Sequence, residues 1–132
     1  RPLVMKKILF VCIENSNRSQ MAEAFAKIHG RNKVDSFSAG SHPSGKINPK
    51  AVEAMKMLNY DLTKHVSKSV DDFRTIDFEY VITMGCGDEC PFIPAKQREN
   101  WEIPDPKNSE MNEFLKVRDI LENEVMDLLK KL

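Results

Sequence analysis

Cysteine is scarce in this chain: Cys12, Cys86 and Cys90 are the only three among 132 residues. So low and odd a number argues against the disulfide framework of small secreted domains. Net charge is missing as well. Twenty lysines and arginines balance twenty aspartates and glutamates. No overall basic field therefore favours nucleic acid or an anionic membrane surface, and an anionic substrate must be attracted by local groups. No apolar run approaches the ~20 residues a helix needs to span a bilayer, and no signal-peptide pattern opens the chain. Fixed-period repeats and low-complexity tracts are also absent. What remains is an ordinary globular mixture, 41% hydrophobic and 30% charged, long enough to bury a core without staples. The expectation is a monomeric single domain over residues 5–132 in a reducing cytoplasm. Residues 1–4 precede Met5-Lys6-Lys7 and read as a cloning remnant.

Ile8 to Val11 (ILFV) is a continuous apolar run of the kind found in a central parallel strand buried on both faces. A polar loop, CIENSNRS, follows. SQMAEAFAKIHG then reads as a helix with Met21, Ala22, Phe25 and Ile28 on one side and Gly30 as its stop. Val34 to Ala39 predicts a second strand. Asn48-Pro49 forms an N-cap and first-turn pair opening a helix that carries Ala51, Val52, Met55 and Leu58. Tyr80 to Met84 is a third strand. Residues 85–106 read mostly as loop, with a short fourth strand near Trp101 to Ile103. From Ser109 a long helix presents Phe114, Val117, Leu121, Val125, Leu128 and Leu132 at spacings of three or four. Alternating strands and helices imply a parallel sheet with helices on both faces. Ligands in such sheets bind beyond the C-terminal strand ends, where Cys12 and Cys86 both fall. Met21, Met55 and Met57 are expected in or at the edge of the core. Trp101 is expected to anchor the segment leading to Asp105. The histidines, His65 among them, read as structural.

Cys12-Ile13-Glu14-Asn15-Ser16-Asn17-Arg18-Ser19 places five residues between a cysteine and an arginine, with a helix directly after. Consecutive amides in a tight loop can converge on an anion, and a helix N-terminus adds partial positive charge. Arg18 can grip two oxygens as a fork. Asn15 suits a left-handed loop position, and Ser19 can donate to the cysteine sulfur. A free thiol titrates near ~8.5 and activated ones at roughly 3.5–7.5. A shift of three units corresponds to roughly 4 kcal/mol of preference for thiolate. A helix terminus supplies about 0.3–2 kcal/mol, so amides, serine and arginine must act together. The plainer alternative is a buried cysteine that merely ends a strand. The order strand, loop, arginine, helix favours a thiolate nucleophile.

LFVCIENSNRSQMAEAF resembles the phosphate-binding loop and first helix of the low-molecular-weight protein tyrosine phosphatase family, and more narrowly the arsenate reductases of that fold. SAGSHPSGKINPKAVEAM, YDLTKHVSKS, VITMGCGDECPFIP and NWEIPDP extend the resemblance over nearly the whole chain. It implies a four-stranded parallel sheet flanked by helices on both faces, low-molecular-weight phosphatase-like. It also implies Cys12 as nucleophile, Arg18 as oxyanion clamp and Asp105 as general acid. Asp105-Pro106 taken alone is only a turn signal. Two positions depart from the phosphatases: Glu14 stands where they usually carry glycine, and Lys107-Asn108 stand where those acting on peptides tend to carry aromatics. Glu14 is expected to point outward, away from the anion.

Arsenate and phosphate are nearly isosteric, so Cys86 and Cys90 decide between reaction types. Ester hydrolysis needs only Cys12. Reduction needs further thiols, here Cys86 and then Cys90, with an external thiol reductant such as thioredoxin, or glutaredoxin with a small thiol. No bound cofactor is expected. Zinc is disfavoured, because His29, His42, His65 and the cysteines lack ligand spacing. A structural pair of loop thiols, redox regulation of a phosphatase and a non-enzymatic oxyanion-binding module stay open at this level.

Overall fold

The computed structural model describes residues 5–85, 90 and 92–132. Ile8, Leu9, Phe10 and Val11 are at most 2% exposed, as a strand with neighbours on both edges and both faces must be. They belong to β1 (Lys6–Cys12), which pairs in parallel with β2 (Val34–Gly40) on one side and β3 (Phe78–Thr83) on the other. A fourth parallel strand, β4 (Ala95–Asn100), continues beyond β3, giving the order β2-β1-β3-β4. The register sets Cys12 against Gly40 and Val11 against Thr83. The chain leaves β1 on one side and returns on the other. The ends of β1 and β3 therefore form the switch point at which a doubly wound sheet opens a crevice.

Alternation along the strands divides the core. Ile8, Phe10, Tyr80 and Ile82 pack with α1 (Arg18–His29), α2 (Pro49–Lys56) and α3 (Met111–Lys130). Leu9, Val11 and Val81 pack on the opposite face with Val70, Phe73, Phe78 and Ile93. There a short 3-10 helix, Val70–Phe73, supplies the helical cover. The stripe Phe114, Val117, Leu121, Val125 and Leu128 of α3 is buried, each large side chain contributing about 1.5–3 kcal/mol by leaving water. Helix α1 packs against β1, β2 and α3, and every residue from Arg18 to Ala26 is buried. Its first turn is thus fixed rigidly at the end of β1. Asn48 caps α2 by accepting from the Lys50 amide at 2.9 Å, with Pro49 in the first turn. Among the described residues, no helix is long and apolar enough to cross a membrane.

Two expectations are corrected. The fourth strand is Ala95–Asn100 rather than Trp101 to Ile103. AKQREN has no apolar run because it lies at an exposed edge, where charged side chains also discourage pairing with another chain. Trp101 and Ile103 are apolar because they dive from the strand end into the core, at 7% and 6% exposure. The indole lies 5.9 Å from the Phe10 ring and donates to Glu99 Oε1 at 2.9 Å. Met57, expected near the core, is 52% exposed, because it follows the last turn of α2 as its C-cap. Met21 and Met55 are fully buried.

Candidate oxyanion site

The loop between β1 and α1 has its carbonyls turned outward. Cys12 O accepts from the Ser41 amide at 3.1 Å, Ile13 O from His42 at 2.8 Å, Glu14 O from Ser44 at 3.0 Å and Ser16 O from Asn48 at 3.1 Å. Asn15 O accepts from Gln20 Nε2 at 3.1 Å. In a trans peptide the N–H points opposite to the C=O. The amides of residues 13–17 are thereby directed to the inside of the loop, forming a nest for an anion. Asn15 makes the tight curve with φ 52°, a left-handed conformation that asparagine tolerates. Gly40 is required beneath it: a Cβ there would lie 2.5 Å from Ile13 O and 2.9 Å from the Asn15 amide. At the N-terminus of α1 no side chain caps the helix, and Asn17 Oδ1 is buried without a partner. The partial positive charge of the helix therefore faces the same space.

A chain of hydrogen bonds ends on Cys12. Burial, then the charges of Glu23 and Asp61, push the Tyr60 hydroxyl up to about 12, so it remains a donor. Burial holds His65 below the ordinary histidine range, with Glu23 opposing. The neutral ring can then accept from Tyr60 through Nε2 at 2.6 Å and donate through Nδ1 to Gln20 Oε1 at 2.9 Å. Gln20 Nε2 donates to Asn15 Oδ1 at 2.8 Å, and Asn15 Nδ2 donates to Ser19 Oγ at 2.7 Å. Ser19 has accepted one hydrogen bond and keeps its own hydrogen for Cys12 Sγ, 2.8 Å away. Hydrogen bonds to charged groups contribute about 1.5–3 kcal/mol. Ser19→Ala is therefore expected to slow alkylation of Cys12 by iodoacetamide at neutral pH roughly 10- to 100-fold, while thermal unfolding shifts little.

Arg18 is buried, with Nη1 donating to Ile103 O at 3.1 Å and Nη2 3.6 Å from Asp105 Oδ2. Asp105, read from sequence as a general acid, is thus brought to the mouth of the loop with its side chain 49% exposed. Its Oδ1 accepts from the Lys107 amide at 3.0 Å. Glu14 was expected to point outward; it lines the space at the loop together with Lys107, whose Nζ pairs with its carboxylate at 2.5 Å. Between Ser16, Asn17, Arg18, Glu14, Asp105 and Lys107 lies a cavity of about 50 Å³. A single water needs about 10–15 Å³ on this measure, so the space holds a few heavy atoms and no aromatic ring. At Gly85 φ is 78°, and a Cβ would sit 2.4 Å from Arg18 Nη1. Glycine here makes room for the arginine.

Cys12 is a free thiol, 3% exposed. Cys90 is disulfide-bonded and packs at the edge of the second core cluster. Cys86, the other candidate thiol, lies outside the described residues. Among the described residues no group of three or more His, Cys, Asp or Glu is placed to hold a metal. His29 pairs with Glu122 and His42 contacts Ser41 Oγ. Sequence reasoning missed Gln20, Gly40, Tyr60 and the connecting place of His65. A glycine closing β2 beside the loop was the one local signal for Gly40.

A free cysteine under a nest of amides, with a buried arginine at the start of the following helix, is a site suited to a tetrahedral oxyanion. Residues 7–132 match the family model described as low molecular weight phosphotyrosine protein phosphatase, and the chain belongs to that family. It is 34% identical over 131 residues to the glutaredoxin arsenate reductase of Synechocystis sp., covering 97% of this chain and 99% of that protein. It is 39% identical over 118 residues to an arsenate reductase of Staphylococcus aureus, covering 86% and 88%. A solved arsenate reductase in the phosphate binding state matches with a TM-score of 0.87 at 34% identity, over 96% of this chain and 98% of that one. The thioredoxin-dependent arsenate reductase of Corynebacterium glutamicum matches with a TM-score of 0.79 at 30% identity, over 96% of this chain and 61% of that one.

Proposed function

We propose that this protein reduces arsenate to arsenite by a thiol relay. The observation that carries the reading is Cys12, a free buried thiol beneath the amide nest, in a chain whose Cys90 is able to pair with a second cysteine. A relay needs both, a thiol that captures the oxyanion and a cysteine pair that takes up the oxidising equivalents. In the first step the Cys12 thiolate attacks arsenic, and Asp105 protonates the departing oxygen, which leaves as water. The nest amides and Arg18 hold the charge on the remaining oxygens. In the second step the Cys86 thiolate attacks Cys12 sulfur. An S–S bond forms and the S–As bond breaks. Its electron pair stays with arsenic, which passes from As(V) to As(III) and departs as arsenite. In the third step the Cys90 thiolate attacks Cys86 and frees Cys12, leaving a Cys86–Cys90 disulfide for an external thiol reductant. Relatives named for glutaredoxin and for thioredoxin support either a dithiol protein or a small thiol with glutaredoxin as that donor.

The test is NADPH consumption with arsenate, in one arm with thioredoxin and its reductase and in the other with glutathione, glutaredoxin and glutathione reductase. Turnover in neither arm sinks the proposal. Phosphate ester hydrolysis through a phosphocysteine is a second reading, favoured by the family itself, and the cysteines separate the two. Cys86→Ser together with Cys90→Ser is expected to reduce arsenate turnover to background while leaving any hydrolysis of p-nitrophenyl phosphate within about twofold, because neither thiol is placed on the ester route. Equal loss of both activities would contradict the relay.

A further inference from the structure

We propose that the Glu14–Lys107 ion pair bars the mouth of the oxyanion pocket, so that the site accepts a free tetrahedral oxyanion and rejects one carrying an organic group. This rests on the reading of the loop as an oxyanion site.

The position of Glu14 needs an explanation in its own right. It sits among amides that collect a dianion, where an unpaired carboxylate repels the ligand. Its backbone is pinned, with Glu14 O accepting from the Ser44 amide and from Ser67 Oγ, each at 3.0 Å. From that fixed base the side chain reaches Lys107 Nζ at 2.5 Å. Lys107 is itself tied to the other wall of the site, its amide donating to Asp105 Oδ1 at 3.0 Å. The pair therefore joins the nucleophile loop to the general-acid segment, two stretches far apart in sequence, and both of its residues line the cavity of about 50 Å³. Glu14, and more weakly Asp105, hold the Lys107 ammonium above the ordinary lysine range, so the bar stays charged at neutral pH. Half-exposed ion pairs contribute little to stability, and the location of this one points to selection of the ligand. An oxyanion without substituents fits behind the bar. An ester or phosphonate must send its organic group out through the space the two side chains occupy.

The experiment titrates inorganic phosphate and phenylphosphonate into the reduced protein by calorimetry, for the wild type, Glu14→Gln and Lys107→Met. A steric bar predicts that both substitutions lower the ratio of the phenylphosphonate Kd to the phosphate Kd, by roughly tenfold. Charge alone predicts something else: Glu14→Gln tightens and Lys107→Met weakens both ligands together, with the ratio flat. A flat ratio overturns the bar. The exchange Glu14→Lys with Lys107→Glu rebuilds the pair and is expected to restore the wild-type ratio; failure to do so also counts against it. Binding of phosphate by the wild type is the control. Its absence removes the oxyanion site and the bar together, whereas phosphate binding with an unchanged ratio removes the bar alone. Arsenate turnover is not read in this experiment, so failure of the reductase proposal leaves its result standing.

Discussion

Cys12→Ser is expected to reduce arsenate reduction by roughly four or more orders of magnitude, and to take any aryl phosphate hydrolysis of the wild type to background. Both reactions begin with a bond from this sulfur, and nothing else in the pocket can form it. The serine hydroxyl is of similar size but stays protonated at neutral pH, and the groups aimed at the position can donate to an anion but cannot remove a proton. Ser19 Oγ lies 2.8 Å away and already accepts from Asn15 Nδ2, so it is placed to donate to an anion at this position. The variant should keep the fold and the anion site, because the amide nest is held by Ser41, His42, Ser44 and Asn48. The check is paired: coupled NADPH oxidation and p-nitrophenolate release for activity, with phosphate titration for binding. Residual arsenate turnover within a hundredfold of wild type would show that the sulfur is not the nucleophile.

Arg18→Lys is the second substitution with a large expected effect. It retains the charge, so a model built on net charge alone predicts little change. The guanidinium, however, uses Nη1 to bond Ile103 O at 3.1 Å while Nη2 stands 3.6 Å from Asp105 Oδ2. It thus orients itself with one nitrogen and keeps its fork over the pocket. An ammonium is a point charge without that geometry, and it leaves Ile103 O without the nitrogen that now serves it. Loss of a preorganised donor to a developing oxyanion lowers rates by roughly 10²–10³. The expected result is that fall in kcat/KM with arsenate, accompanied by weaker phosphate binding. Unchanged kcat/KM would mean that charge suffices and that the fork has no role.

The central strand, the loop and the helices were legible because each carries its own periodicity or motif. ILFV can only be buried on both faces, and the Phe114 to Leu128 stripe can only be one side of a helix. The cysteine–arginine spacing likewise marks the tight loop between β1 and α1. What stayed hidden depends on contacts between distant segments. The edge strand Ala95–Asn100 is polar because it is exposed, so its sequence matches a loop. Trp101 and Ile103 look like a strand because they are buried. Repulsion led to the expectation that Glu14 points outward; instead it lines the cavity with its charge met by Lys107, 93 residues away and without a local signature. Gly85 illustrates the same limit: that it clears space for Arg18 depends on a contact between segments 67 residues apart.

The outward-turned carbonyls of residues 12–16 carry one more consequence. The nest is shaped by the protein before any ligand arrives, and inward-facing amides recognise charge and tetrahedral form, which phosphate and arsenate share. Affinity alone therefore cannot keep phosphate out, and a cell's abundant phosphate will occupy the pocket as a competitor in proportion to its concentration. Discrimination, on the proposed relay, falls to the step after capture. Only an arsenic–sulfur bond surrenders its electron pair to the central atom when a second thiol attacks; phosphorus retains its oxidation state, and the ion leaves as it came. The selective filter is then the reducibility of the element.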